Sequence, residues 1–176
     1  MFVSCYLCPF MGIEKRQRIL GIDPGYGRIG YGVIEGSRSS WAHVAHGCIE
    51  TDQSALFPER LKELKHDLLQ LITQYNPDYA GIEELFFAKN VTTGMKVSEA
   101  RGVIQLILHE AGIPLIDVTP LQMKQAIVGY GRAEKAQLQE MIRIQLLLTK
   151  KPTPDDAADA LGVALTAGFL CRERYI

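Results

Sequence analysis

The chain runs almost wholly apolar from Arg18 to Ile22, and again from Tyr31 to Ile34, with the turn Pro24-Gly25-Tyr26-Gly27 between the two stretches. Short apolar runs bounded by turn residues predict buried strands, here a pair joined by a hairpin. A third strand is expected over Trp41 to Ile49. From Pro58 the period changes, and Leu61, Leu64, Leu68, Leu71 and Ile72 recur at helical spacing up to Tyr75, where Asn76-Pro77-Asp78 ends the run. Tyr79 to Glu83 is a short apolar run closing on carboxylates, followed by a loop and a helix from about Thr93 to Ala111. Pro114 to Val118 is the next strand, and helical stretches follow near Pro120 to Val128, Glu134 to Leu148 and Asp155 to Phe169. Three strands, then alternating helix and strand, then helices, predict a mixed sheet covered by helices: one α/β domain with no linker, repeat or low-complexity tract.

Composition sharpens this. A chain of 176 residues buries roughly 70% of its unfolded surface, enough to fold without disulfides or structural metal. Hydrophobic residues at 47% and charged ones at 22% exclude disorder, and no apolar run reaches the ~18 to 20 residues that span a bilayer. The net charge of −1 argues against a nucleic-acid partner until it is resolved along the chain. Met1 to Leu85 carries 8 basic and 11 acidic residues, Phe86 to Lys151 carries 9 and 5, and Pro152 to Ile176 carries 2 and 4. A basic middle third suits a phosphate backbone, while acidic residues kept apart from it suit a divalent cation; random clustering on a solvated surface is the plain alternative.

Cys5 and Cys8 form a Cys-x-x-Cys, but no second pair completes a zinc site. With Cys48 and Cys171 they are expected to be free thiols of a reducing cytoplasm. The first twelve residues lack the basic start and cleavage site of a secretory signal, and Met11 is an alternative start. The expected organisation is an N-terminal extension over 1–17, a candidate for disorder, then a domain over 18–172 and a tail over 173–176.

Gly25-Tyr26-Gly27-Arg28-Ile29-Gly30 matches G-x-G-x-x-G, with Glu50 at the spacing of a ribose-binding acid. A dinucleotide site needs a helix to open within those glycines, whereas here a strand continues, so the glycines are assigned to a hairpin. Asp23 ends the first strand before Pro24-Gly25, a place also common for a plain turn aspartate. Glu83, followed by Glu84, ends another. Asp156 and Asp159 share one helix face, and the small Ala157, Ala158 and Ala160 let that helix approach the sheet and bring both aspartates near Asp23 and Glu83. Asp155 is assigned to capping the helix. Four carboxylates are oxygen ligands suited to Mg²⁺, and two ions about 4 Å apart would activate water on one side of a phosphate and stabilise the leaving oxygen on the other. Without cations the carboxylates would raise one another's pKa. His43, His46, His66 and His109 show no ligand spacing.

Ile19-Leu20-Gly21-Ile22-Asp23-Pro24-Gly25, Gly30-Tyr31-Gly32-Val33-Ile34, Pro77-Asp78-Tyr79, Ile82-Glu83, Phe86, Ala88-Lys89-Asn90, Ala100-Arg101-Gly102, Val128-Gly129, Ala133-Glu134-Lys135 and Asp156-Ala157-Ala158-Asp159-Ala160-Leu161 together resemble, in order, the motifs of the RuvC family of Holliday junction resolvases. The resemblance covers roughly Arg18 to Phe169. It implies a ribonuclease-H-like fold with a mixed five-stranded sheet flanked by helices. It also implies a cytoplasmic homodimer that nicks opposite strands of a four-way DNA junction during recombination and repair, with a RuvA–RuvB branch-migration complex as a candidate partner and no membrane association. By the same match, Asp23, Glu83, Asp156 and Asp159 are the catalytic, metal-binding residues, taking two Mg²⁺ with Mn²⁺ as a substitute. Phe86 corresponds to an aromatic that stacks on bases, although Phe86-Phe87 read alone suits a core better, with Phe86, in the loop between strand and helix, as the exposed member. Lys124 and Lys135 correspond to basic residues acting on DNA, and Lys89 and Arg132 join them as candidate contacts beside loop glycines Gly129 and Gly131. Rival readings are another ribonuclease-H-fold nuclease, acting on RNA or transposase-like, an ATP-binding protein of the actin and Hsp70 type, and a non-catalytic junction-binding module.

Overall fold

A computed structural model of the protein describes residues 16–37, 40–84 and 91–171. The expectations for the N-terminal thiols, Phe86, Phe87, Lys89 and the C-terminal tail lie outside the described residues. Strands β1 (Gln17–Asp23), β2 (Arg28–Ser37) and β3 (Ser40–Glu50) form an antiparallel meander, and β4 (Tyr79–Glu83) and β5 (Leu115–Val118) extend it in parallel. The sheet order is β3-β2-β1-β4-β5, so β1 is central. The helices are α1 (Phe57–Tyr75), α2 (Val91–Glu110), α3 (Pro120–Val128), α4 (Lys135–Gln145) and α5 (Asp155–Leu170).

Local chemistry accounts for the ends. In α1 the Leu56 amide donates to Glu59 at 3.3 Å, Pro58 sits in the first turn, and Asn76 takes the left-handed conformation that stops the helix. Thr119 and Gln122 exchange hydrogen bonds in the capping box that opens α3, and Gly129, at φ 90°, closes it. Two boundaries differ from the sequence reading. The helix expected to reach Leu148 ends at Gln145, because Leu147 turns to positive φ and Arg143 takes the Leu148 carbonyl at 3.0 Å. Asp155 does not cap α5. It is the first helical residue, and its side chain is drawn away to α4 by Gln139 at 3.1 Å.

Strand alternation distributes the core over two faces. Leu20, Ile22, Val33, Ala80 and Ile82 pack with Leu64 and Leu68 of α1 and Ala100, Ile104, Ile107 and Leu108 of α2. Ile19, Ile34 and Val118 pack on the other face with α3, α4 and α5. On this second face the same alternation sets Ile19, Gly21 and Asp23 in line on β1, Gly30, Gly32 and Ile34 on β2, and Tyr79, Gly81 and Glu83 on β4.

The glycines in those lines govern the docking of α5. A Cβ on Gly30 would lie 2.0 Å from the Asp156 carbonyl oxygen, and one on Gly21 would lie 2.1 Å from that of Ala160 and 2.4 Å from the Ala164 amide nitrogen. A Cβ on Gly32 would reach the Leu161 backbone, and one on Gly81 the Ala167 side chain at 2.7 Å. The α5 backbone therefore rests directly on the sheet across β2, β1 and β4. Gly30 lies in the hairpin expected from sequence, paired with Asp23, and also forms part of this surface. Glycine inside a strand forgoes side-chain packing, and close backbone approach is the compensating gain.

Gly21→Ala should destabilise the protein by about 3 kcal/mol or more, at the upper end of overpacking effects, because backbone cannot give way as a flexible side chain does. Gly102 of α2 has open space around its Cβ position. Gly102→Ala should stabilise by about 0.5 to 1 kcal/mol through helix propensity. Urea unfolding of both variants checks the contrast; equal effects would mean that α5 does not sit on β1 as described.

Candidate active site

The site lies where β1 and β4 end side by side. Ile22 pairs with Ile82, so the next residues, Asp23 and Glu83, emerge as neighbours on the α5 face. Their carboxyls stand in hydrogen-bonding contact with each other. Because α5 starts over Gly30 and crosses Gly21, its first two turns place Asp156 and Asp159 beside them, as the alanine-rich pattern predicted. Burial first, then Glu83, Asp159 and Asp156, push the Asp23 carboxyl up to about 8. Burial and the charge of Asp159 also raise Glu83, against the hydrogen bond with Asp23, which works the other way. Burial raises Asp159 too, against a hydrogen bond from Lys135.

Two of the four carboxylates are turned toward cations. Lys135, the first residue of α4, donates to Asp159 at 2.9 Å and stands 3.3 Å from Asp155. Partial burial works against its ammonium, yet Asp159 and then Asp155 hold its pKa above the ordinary lysine value. Arg28, opening β2, lies 3.7 Å from Asp156 while donating to Glu50 at 2.9 Å. As the side chains stand, no three Asp, Glu, His or Cys among the described residues converge closely enough to hold one ion. The donor set nevertheless fits a hard dication. It is all carboxylate oxygen, and Asp23 is raised first by burial and then by the neighbouring carboxylates, a combination that a bound cation would relieve.

Of the other residues singled out from sequence, Lys124 is half-buried on α3, and Arg132 is exposed between α3 and α4. No described ion pair joins either to the carboxylates. His43 and His46 are not independent, since their ring nitrogens approach to 2.7 Å on β3. Sequence reasoning missed Arg28 and Arg101. Arg101 of α2 donates from Nε to the Glu83 carbonyl at 3.3 Å and pairs through its other nitrogen with Asp117 of β5. It thus ties the end of β4 to its neighbours, and its place inside the Ala100-Arg101-Gly102 motif was the available signal.

A sheet of this order, with antiparallel first strands, parallel last ones and acidic residues at the ends of β1 and β4 beneath a late helix, defines a ribonuclease-H-like protein. Comparison with known proteins gives the same class. The family model described as crossover junction endodeoxyribonuclease RuvC matches residues 19–167. The RuvC of Petrotoga mobilis is 51% identical over 150 residues, covering 85% of this chain and 92% of that protein. The RuvC of Thermosipho melanesiensis is 49% identical over 148 residues, covering 84% and 94%. Among solved structures, Thermus thermophilus RuvC in complex with Holliday junction substrate superposes with a TM-score of 0.85 at 31% identity, covering 90% of this chain and 96% of that one. The chain belongs to the RuvC family of crossover junction endodeoxyribonucleases, whose members are metal-dependent.

The raised Asp23 pKa has a consequence for stability. An unfolded aspartate titrates near 3.9, so between about pH 4 and pH 8 the folded protein holds a proton that the unfolded chain has released. This stabilisation is complete below pH 4 and is lost as pH rises through 8. In chelator, the parent should therefore lose melting temperature across that window relative to Asp23→Asn, whose side chain does not titrate. Thermal melts of both at pH 5 and pH 8 check it, and parallel curves would mean that Asp23 is not buried among like charges.

Proposed function

We propose that this protein is a junction-resolving endonuclease that nicks opposite strands of four-way DNA junctions, with Asp23, Glu83, Asp156 and Asp159 as its metal-binding catalytic residues. The observation that carries the reading is the carboxylate cluster. A protein that only bound DNA would gain nothing from carboxyls buried and crowded together until one is pushed up to about 8. Two Mg²⁺ ions, with Mn²⁺ as a substitute, are the proposed cofactors; when bound, they supply positive charge to the attacking water and to the leaving oxygen of the phosphodiester.

The protein's own groups set up that chemistry. Asp23 and Glu83 are held by paired strand ends, and Arg101 fixes the Glu83 backbone. Asp156 and Asp159 are held by a helix that cannot shift without leaving its glycine seat. Lys135 neutralises Asp159 and Asp155 in the metal-free arrangement and is placed to exchange them for a phosphate oxygen of the substrate. Lys89, Lys124 and Arg132 are proposed to contact the DNA backbone and Phe86 to stack on a base near the junction centre.

The active form is proposed to be a homodimer, since two separated sites related by a two-fold axis match a two-fold symmetric junction. The single domain is taken to span 18–172. A RuvA–RuvB complex is its proposed partner and the cytoplasm its compartment, where recombining DNA would be met. No described helix is long and apolar enough to cross a membrane.

With a synthetic four-way junction, a linear duplex and an RNA–DNA hybrid in Mg²⁺, nicking should be selective for the junction; equal cutting of the hybrid would point to another nuclease of this fold. Asp23→Asn should bind the junction as tightly as the parent or slightly tighter, because it removes a negative charge facing a polyanion, and should lose nicking by about a hundredfold or more. Glu83→Gln, Asp156→Asn and Asp159→Asn should behave alike, without additivity when combined. Gel-shift affinity beside nicking rate, with circular dichroism for folding, reads both. A folded Asp23→Asn that nicks at the parental rate removes Asp23 from the reaction.

A further inference from the structure

A second group of charged side chains flanks the same end of β1, on the opposite face of the sheet. Tyr26 sits in the turn three residues after Asp23. Its ring stacks on Phe57 of α1 with centroids 5.8 Å apart, and two cations face it: the Arg60 guanidinium at 4.4 Å and the Lys96 ammonium at 4.8 Å from the ring centroid. Arg60 is only 3% exposed, and its donors are engaged by the Thr51 hydroxyl at 3.0 Å and the Tyr26 carbonyl at 2.6 Å. It pins the turn from within and cannot reach a solvent anion. Lys96, in the second turn of α2 and half-exposed, donates to the Tyr26 hydroxyl at 3.1 Å.

Two cations on one aromatic ring set this cluster apart from the carboxylate-paired ones. Arg28, Arg101, Lys135 and Arg143 all stand against carboxylates. Among the described residues no ion pair within 4 Å joins Lys96 or Arg60 to a carboxylate, so two cations share one ring. The Tyr26 hydroxyl accepts from Lys96, which leaves its own proton to donate outward, and that hydrogen bond also lowers the phenol's pKa. A surface ammonium beside an outward O–H is a matched pair of donors for a phosphate oxygen.

We propose that Lys96 and Tyr26 form a phosphate-binding subsite for the DNA strand that runs through the carboxylate site, on the flank opposite Lys135. The strand is then gripped from both faces of the sheet: from α4 by Lys135 and from α2 by Lys96, with the acidic cluster between them. Arg60 acts through Tyr26 as a positioning residue. The subsite rests on the junction-nuclease reading and adds to it a specific backbone contact.

The test uses the full chain and a synthetic four-way junction. Lys96→Gln should weaken junction binding roughly three- to tenfold near 0.1 M salt and reduce the slope of log affinity against log salt by about one, the signature of one lost phosphate contact. Lys96→Arg should restore both. Tyr26→Phe keeps the ring between Phe57 and the cations but removes the proton, and should lower affinity roughly two- to fivefold with an unchanged salt slope. KM for nicking should follow affinity in each case, with kcat retained. A Lys96→Gln protein that melts earlier yet binds with parental affinity and slope would show that the cluster only braces the turn, and the subsite would be discarded. Where Lys96→Gln does not fold, Tyr26→Phe decides by itself, parental affinity overturning the subsite. If the parent fails to bind the junction, the nuclease reading falls and the subsite with it; if the parent binds and the variants match it, the subsite alone falls.

Discussion

The contact between the α5 backbone and the glycines of β1, β2 and β4 is the constraint from which the site follows. Side chains normally separate a helix from the sheet it covers, and a few ångströms of slack would leave Asp156 and Asp159 too far from the strand ends to share a field with Asp23 and Glu83. Removing Cβ at Gly21, Gly30 and Gly32 eliminates that spacing and lets peptide groups meet. The helix is then positioned by covalent backbone and not by rotamers. Its buried flank, nearly all alanine, leucine, valine and glycine from Ala157 to Gly168, has no long side chain that could lift it.

That rigidity matters because the groups it brings together repel one another. Burial and mutual repulsion raise Asp23, Glu83 and Asp159, so the fold carries an electrostatic strain at its functional end, paid for by the apolar packing of both sheet faces. Lys135 and Arg28 relieve part of it. Each approaches a carboxylate from a different element, and each is at least half exposed at its side chain or close to it, 53% and 49%. Such ammonium and guanidinium partners are held weakly enough in water to be exchanged for other charges. The arrangement therefore stores negative charge that a divalent cation would neutralise, while keeping nearby cations available for the phosphate backbone.

The basic groups also explain how an overall acidic chain of net charge −1 can serve a polyanion. Around the site charge is sorted: its carboxylates occupy the ends of β1 and β4 and the start of α5, and the cations beside them come from β2, α2 and α4. Field near the site depends on this sorting and not on the sum. Arg101, joined to both the Glu83 carbonyl and Asp117, shows that one of these cations serves the scaffold.

By itself the sequence determined the element order, the ends of β1, β4 and α3, and the four carboxylate positions. These features depend on local rules: strand runs closing on an acid, a proline at a helix start, and two aspartates three apart on a helix of small residues. Sequence alone misread Asp155 as a cap, because capping rules see only neighbours along the chain, whereas Gln139 and Lys135 arrive from α4. It placed Gly30 in a hairpin, where it lies, but not under α5, because a glycine needed by a hairpin and a glycine needed by an overlying helix look the same in one dimension. The two cations on the Tyr26 ring were invisible for the same reason, since Tyr26, Arg60 and Lys96 are far apart in the chain and each reads alone as an ordinary surface residue. Only the tertiary structure decided which strand faces the helix could touch, how far the carboxylates perturb one another, and which cations stand near enough to answer them, because those quantities depend on distances through space that no local pattern encodes.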